Sequence, residues 1–298
     1  YFIFFGLMLS DAGYGLILSV ACFILLKKFR LEGLMKKLIT LFMYCGISTM
    51  FWGIMFGGVF GDFAAVFGRV ALGKEIAINP VWFDPVKEPM TLLVFSLILG
   101  AIHLFVGMGI KAYMLIKSGH VVDAVCDIFL WYVLLIGLVL FGVGGSLAPA
   151  AELIGKWMSI IGALGILVTG GRSKKGIGKV TGGLGSLYGI TSYLSDVLSY
   201  SRLLALGLAT GVVAQVINTL GSLAGNGIVG TIILIIVVVI GTVFNIAINV
   251  LGSFVHSSRL QYVEFFGKFF EGGGVAFNPF SRKTKYVDIV GDSGVKEK

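Results

Sequence analysis

Residues 199–211 read SYSRLLALGLATG, which places Arg202 inside an otherwise uncharged and largely apolar run. That run extends from 184 to 220, about 37 residues. As a helix rising 1.5 Å per residue it would be about 55 Å long. A second run, 228–270, of about 43 residues, would reach about 64 Å. A bilayer core is about 30 Å thick, so these helices must tilt strongly or project beyond it. A permanent cation near the middle of such a helix is expensive in hydrocarbon and marks an interior, an aqueous cavity or an ion path.

The remainder of the chain supports a membrane setting. Of 298 residues, 57% are hydrophobic and only 13% charged, and the mean hydropathy is +0.99. A soluble domain with this balance has too little polar surface to cover itself. The 44 glycines suit close helix packing in lipid. Further apolar segments run over 1–10, 14–27, 38–60, 91–116, 121–143 and 150–170. The first two are too short to cross alone, and SDAGYG at 10–15 divides them. They form either one span or a helical hairpin with a truncated first leg. The fold class expected is an all-α, polytopic transmembrane domain of about eight spans, the last two long and strongly tilted. The division expected is 1–183, six peripheral and anchoring segments; 184–270, the two long helices; and 271–298, a cytoplasmic tail. The chain opens on Tyr1 inside an apolar run, as expected of part of a longer polypeptide with a further N-terminal region.

Charge sets the orientation. The 27–37 loop holds five basic residues against one acidic, and 170–179 holds four basic and none acidic. The alternate loops are balanced: 61–90 has three basic and four acidic, 144–156 one of each, and 221–227 none. The positive-inside rule puts the first set, and the C-terminus, in the cytoplasm. It also accounts for the net charge of +8 without nucleic acid. Cys22, Cys45 and Cys126 lie in or at the ends of apolar segments and read as small core residues, and no spacing suggests a metal site, a phosphate loop or a nucleophile elbow. No cofactor is expected. Asp123 and Asp127 lie near a helix start and read as caps, and His103 reads as packing.

Two polar stripes stand out. On 184–220, Ser192, Ser195, Asp196, Ser199, Arg202 and Thr210 fall within about 120° of helix circumference. On 228–270, Asn245, Asn249, His256 and Arg259 fall within about 80°, flanked by Ser253 and Glu264. Two arginines facing each other would repel. Apart from Asp196, six residues away and off in angle, no carboxylate accompanies Arg202 on its own helix, so a partner's carboxylate is expected between the stripes.

FGLMLSDAGYG at 5–15, SYLSDVLSYSRLLALGLATG at 192–211 and FVHSSRLQYVEFFGKFFEGGGVAFNPF at 254–280 resemble the membrane half of the rotary A/V-type ATPase stator subunit, subunit a or subunit I. The resemblance covers essentially the whole chain. It implies a non-catalytic, ion-translocating subunit with eight spans after a cytoplasmic N-terminal domain that contacts the peripheral and central stalk subunits. It also implies a rotor ring of small hairpins, each with one buried carboxylate, as partner. The essential arginine of the family falls on Arg202, and its second arginine and neighbouring histidine fall on Arg259 and His256. By the same analogy a cytoplasmic half-channel runs past Ser192, Ser195, Asp196 and Ser199, and an outer one past Asn245, Asn249, Ser253, His256, Arg259 and Asp11, with Glu264 alongside. The eukaryotic pattern has a histidine at Thr210 and an acidic residue at Asn249, which points to a prokaryotic-type member in the cell membrane of a bacterium or archaeon. A secondary transporter with its site between the last two helices is the rival. It requires its own coupling carboxylate or a broken helix at the midplane.

Overall fold

The computed structural model describes residues 1–74, 79–147, 149–172, 178–225, 227–270, 272–275, 277 and 280. Most of the 271–298 tail and all of the basic 173–177 stretch lie outside them. The described residues are helical, without strands. Among the described residues six helical stretches are long and apolar enough to cross a bilayer: Gly33–Phe56, Pro89–Lys117, Val121–Gly142, Ala150–Thr169, Thr181–Ser222 and Ile228–Lys268. The count of about eight expected from the sequence includes two shorter legs, α1 (Phe2–Leu9) and α2 (Ala12–Lys28), both below that length. The outward side chains are apolar. On α5 (Pro89–Lys117), for example, Val94, Ile98, Ile102 and Val106 form an exposed stripe. Hydrocarbon is the solvent that such a surface matches, and the protein is an integral membrane protein.

The choice between one span and a hairpin over residues 1–28 is resolved at Ser10–Asp11. Ser10 adopts a left-handed conformation (φ 34°), and Asp11 is extended and caps α2 by accepting from the Gly13 and Tyr14 N–H groups. Both legs then pack on α3 (Gly33–Phe56) through glycines. Gly6 abuts Ser48, Gly53 abuts Ala12, Gly15 abuts Met50, and Gly46 abuts Ser19. The pairings run antiparallel for α2 and parallel for α1, so the chain folds back on itself. In lipid the hydrophobic effect adds nothing to helix pairing, and close backbone approach at small residues takes its place.

Helix α1 is the most enclosed element, with every side chain from Phe4 to Leu9 buried. It wedges against α3, α11 (Ser201–Ser222) and α12 (Ile228–Arg259). Its Phe4, Leu7 and Met8 share a core with Tyr200, Leu203 and Leu260. A second core joins α5 to α7 (Leu130–Leu147) and α8 (Pro149–Thr169) through Leu104, Met108, Trp131, Leu134 and Ile166. Two further helical stretches are short. Helix α4 (Phe63–Phe67) runs into a π turn, Gly68–Leu72, and its Val66 and Val70 pack on Leu234 and Val238 of α12. Helix α6 (Val121–Ala124) continues as a second π turn, Val125–Phe129, into α7.

The loops sort into two faces. Ala12 donates to the Gly58 carbonyl, and Gly227 donates to that of Val70, which puts the 10–11 turn, the 57–88 loop and the 223–227 link together. Arg172 donates to Asp123 (2.6 Å) and Asp127 (3.0 Å), joining the 170–172 and 118–124 segments on the opposite face. Asp123 and Asp127 therefore anchor a neighbouring loop and do more than cap their own helix. The alternation matches the grouping drawn from loop charge. Cysteines placed singly at Gly33 and Ser118 of a cysteine-free chain are expected to react with an impermeant maleimide from one side of sealed vesicles. Those at Lys87 and Ala224 should react only from the other.

Candidate ion-path site

The fifth long stretch, Thr181–Ser222, is one path with two breaks. Helix α9 (Gly178–Tyr188) gives way at Gly189 to α10 (Ile190–Ser199), and α10 gives way at Tyr200 to α11. Arg202 is two residues past the second break. Its Nη1 donates to Glu264 Oε1 at 3.2 Å, and Arg259 Nε lies 3.9 Å from the same oxygen. Glu264 is buried at 2% exposure, whereas the Arg202 and Arg259 side chains are 24% and 57% exposed. The second carboxylate oxygen, Oε2, is buried without a hydrogen-bond partner.

A π turn brings this cluster together. Five residues along an α-helix advance about 500°, which would leave Glu264 about 140° around from Arg259. Residues 260–265 are instead a π-helix, whose i→i+5 bonding returns residues five apart to one side. The expectation of a chain without a carboxylate for Arg202 is corrected here. Glu264, 62 residues away in sequence, supplies one, and it also relieves the repulsion between the arginines.

Toward the 118–124 face, Lys268 pairs with Asp196 and lies 4.5 Å from the centre of the Tyr193 ring. Ser192 and Ser195 are exposed and Ser199 is half-buried. A cavity of about 430 Å³ opens here, lined among others by Lys111, Asp127, Ser192, Tyr193 and Lys268. His103 is more than packing. Its Nδ1 is 2.6 Å from the Tyr200 hydroxyl, and its ring stacks flat on Phe265 (4.1 Å, 3°). It thus ties α5 to the break beside Arg202 and to the π turn. In the sequence it was one histidine in an apolar span with no spacing to mark it.

The α12 stripe turns inward. Asn245, Asn249 and Ser253 are buried. Asn245 Nδ2 donates to the Tyr14 hydroxyl (2.8 Å) and the Thr210 carbonyl (3.4 Å), and Asn249 donates to Asn245. Thr210 donates to the Leu206 and Met8 carbonyls, so it leaves the Arg202 face and joins this interior line. The expectation that both stripes face one partner is therefore corrected. The Asn245 amide is satisfied by α2 and α11 and that of Asn249 by Asn245, and of the α12 stripe Arg259 is the member that is exposed. His256 is half-buried, and its Nδ1 and the Ser253 Oγ are buried without a partner.

Asp11 is 3% exposed and accepts from four backbone N–H groups: Gly13 (2.9 Å), Tyr14 (3.1 Å), Phe60 (3.0 Å) and Gly61 (2.7 Å). It clamps the α1–α2 turn to the loop after α3. It also edges a cavity of about 330 Å³ shared with Asp62, Asp84, Lys87, Gly207, Gly211 and Gln215. Asn218 of α11 closes the same corner by donating to the Phe60 carbonyl and to Asp62, both at 2.8 Å.

The fold and site define a polytopic helical membrane protein whose last two long helices carry a buried glutamate between two partly exposed arginines. A family model described as the V-type ATPase 116kDa subunit family matches residues 190–282, a stretch holding all three residues. The A-type ATP synthase subunit I of Methanocaldococcus jannaschii is 37% identical over 96% of this chain and 44% of its own length. That of Thermococcus kodakarensis is 36% identical over 96% of this chain and 42% of its own length. The V-type ATP synthase subunit I of Chlamydia trachomatis is 24% identical over 95% of this chain and 50% of its own length. The chain belongs to this subunit I family, and it spans half or less of the length of these relatives.

The hydrogen bonds of Asp11 generate a stability prediction. Asp11→Ala leaves several N–H groups without their acceptor, and at about 1–3 kcal/mol for a buried orphan is expected to cost about 3 kcal/mol or more. Asp11→Asn, which keeps one acceptor oxygen, should cost less. Unfolding of the purified chain by detergent titration measures both.

Proposed function

We propose that this chain is the membrane part of the stator subunit of a rotary ATPase or ATP synthase, a non-catalytic subunit that couples H⁺ or Na⁺ movement to rotation of a ring. The observation that carries this reading is the open face of α10–α11. Thr191, Ser195, Leu198, Arg202, Ala205, Ala209, Val212 and Val216 follow one another at helical spacing, and all are exposed except the partly exposed Arg202. Small residues beside an arginine leave room for a second helix bearing a carboxylate. The ring hairpins implied by the family resemblance are that partner.

The chemistry follows from charge. A guanidinium beside a carboxylate favours its ionised form, so a loaded ring carboxylate reaching Arg202 gives up its ion. A second ion cannot leak directly past fixed positive charge. Ions approach along the interior line that starts at the Asp11 cavity and passes Asn245, Asn249, Ser253 and His256 to Arg259. They leave past Glu264, Ser199, Asp196, Ser195 and Ser192 into the cavity beside Lys268. In this reading residues 1–183 brace residues 184–270, whose length requires tilt or projection from the bilayer. The 271–298 tail is cytoplasmic, the stalk subunits bind through a further N-terminal domain, and the membrane is the cell membrane of a bacterium or archaeon.

The test is Arg202→Ala in the full-length subunit, assembled into its complex in sealed vesicles. ATP-driven ion uptake is expected to fall to background while the complex stays intact. Arg202→Lys should retain under about a tenth of the rate, since a hydrated ammonium does not reproduce the guanidinium fork. Uptake near the unsubstituted rate in Arg202→Ala overturns the reading.

A further inference from the structure

We infer that Glu264 is the resting counter-ion of Arg202: its carboxylate holds the guanidinium between arrivals of a partner carboxylate and shares it on each arrival. The inference rests on the rotary reading above and adds a positioning residue to it. Three observations carry it. The cluster of Arg202, Arg259 and Glu264 keeps one positive charge in excess, so it still attracts one further carboxylate. The contact is undersaturated: of five guanidinium N–H donors, the Nη1 of Arg202 is the one that reaches Glu264, and Oε2 has no partner. Arg202 therefore has donors to spare for a second acid without first releasing Glu264. Finally, Glu264 is held from behind. The π turn fixes its direction, and the neighbouring Phe265 is stacked on His103, so the carboxylate stays in the wall when the partner departs.

The physical need is clear. An arginine that loses a ring carboxylate before the next one arrives would stand as an uncompensated cation in a low-dielectric site. With Glu264 in place, the guanidinium keeps one carboxylate throughout each hand-over. The competition also weakens the hold of Arg202 on the ring carboxylate, which lets the ring move on.

The experiment uses the full-length subunit in the assembled complex, with Glu264→Gln and Glu264→Asp. Removing the competitor is expected to slow the maximal rate of ATP-driven uptake about five-fold by slowing release of the ring carboxylate. The ratio of ions moved to ATP hydrolysed should stay unchanged. Disulfide cross-linking from a cysteine at Ala205 to the carboxylate-bearing ring helix should rise in Glu264→Gln, and Glu264→Asp should restore most of the rate. An unchanged rate and cross-linking yield in Glu264→Gln overturn the inference. So does hydrolysis uncoupled from uptake, which would make Glu264 a prop for Arg202 and nothing more. Failure of both variants to assemble overturns it as well, because Glu264 would then be structural. If Arg202→Ala abolishes uptake and Glu264→Gln leaves it unchanged, the counter-ion role fails and the rotary reading stands. If Arg202→Ala leaves uptake intact, the rotary reading itself fails.

Discussion

One carboxylate between two guanidiniums joins the last two long helices. Removing one member of a buried ion pair typically costs about 3–5 kcal/mol, because the other charge is stranded. Here the carboxylate is the buried member, and around it lie two local departures from ideal helix, the break at Tyr200 and the π turn at 260–265, together with the stacked ring of Phe265. Each places one participant. The break sets the start of α11 where Arg202 emerges, the π turn brings Glu264 under Arg259, and the His103–Phe265 stack keeps the turn from relaxing. Local irregularity and buried charge account for each other.

Behind that cluster stands α1, eight residues long and almost wholly buried. Its backbone takes part in function indirectly. The Met8 carbonyl accepts from Thr210, and the Met8 sulfur receives the Ser257 hydroxyl, so one residue touches both long helices. The glycine contacts to α3 fix α1 and α2 in turn, since a Cβ at Gly6, Gly15, Gly46 or Gly53 would collide with backbone. The spacing between Arg202 and Arg259 is thus set partly by a segment far from either in sequence.

The class of protein was legible from composition, and the alternation of loops from charge, because both are sums over many residues. Arg202 and Arg259 were legible because a cation in an apolar run is costly wherever it points. Glu264 stands in plain view in the sequence, but its pairing does not. An α-helical wheel swings it away from Arg259, and no residue pattern announces a π turn. The direction of the α12 amides was misjudged for a related reason. A polar stripe in lipid needs partners, but sequence does not say whose, and Asn245 finds Tyr14 from 231 positions away. Asp11 read as part of an ion path, whereas four backbone N–H groups give its carboxylate a structural task as well.

The π turn has one more consequence. It holds a residue more than an α-helical turn would, and so works as an indexing step. The end of the turn, at Phe265, is rotated by about 100° relative to an uninterrupted helix. A 3-10 turn, Phe266–Lys268, follows directly, and Lys268 at its end meets Asp196. The length of the chain between Arg259 and Lys268 is therefore as much a functional quantity as the identity of the residues in it. Losing a single position there would turn the counter-ion and the lysine away from their partners together, even with every side chain of the cluster retained.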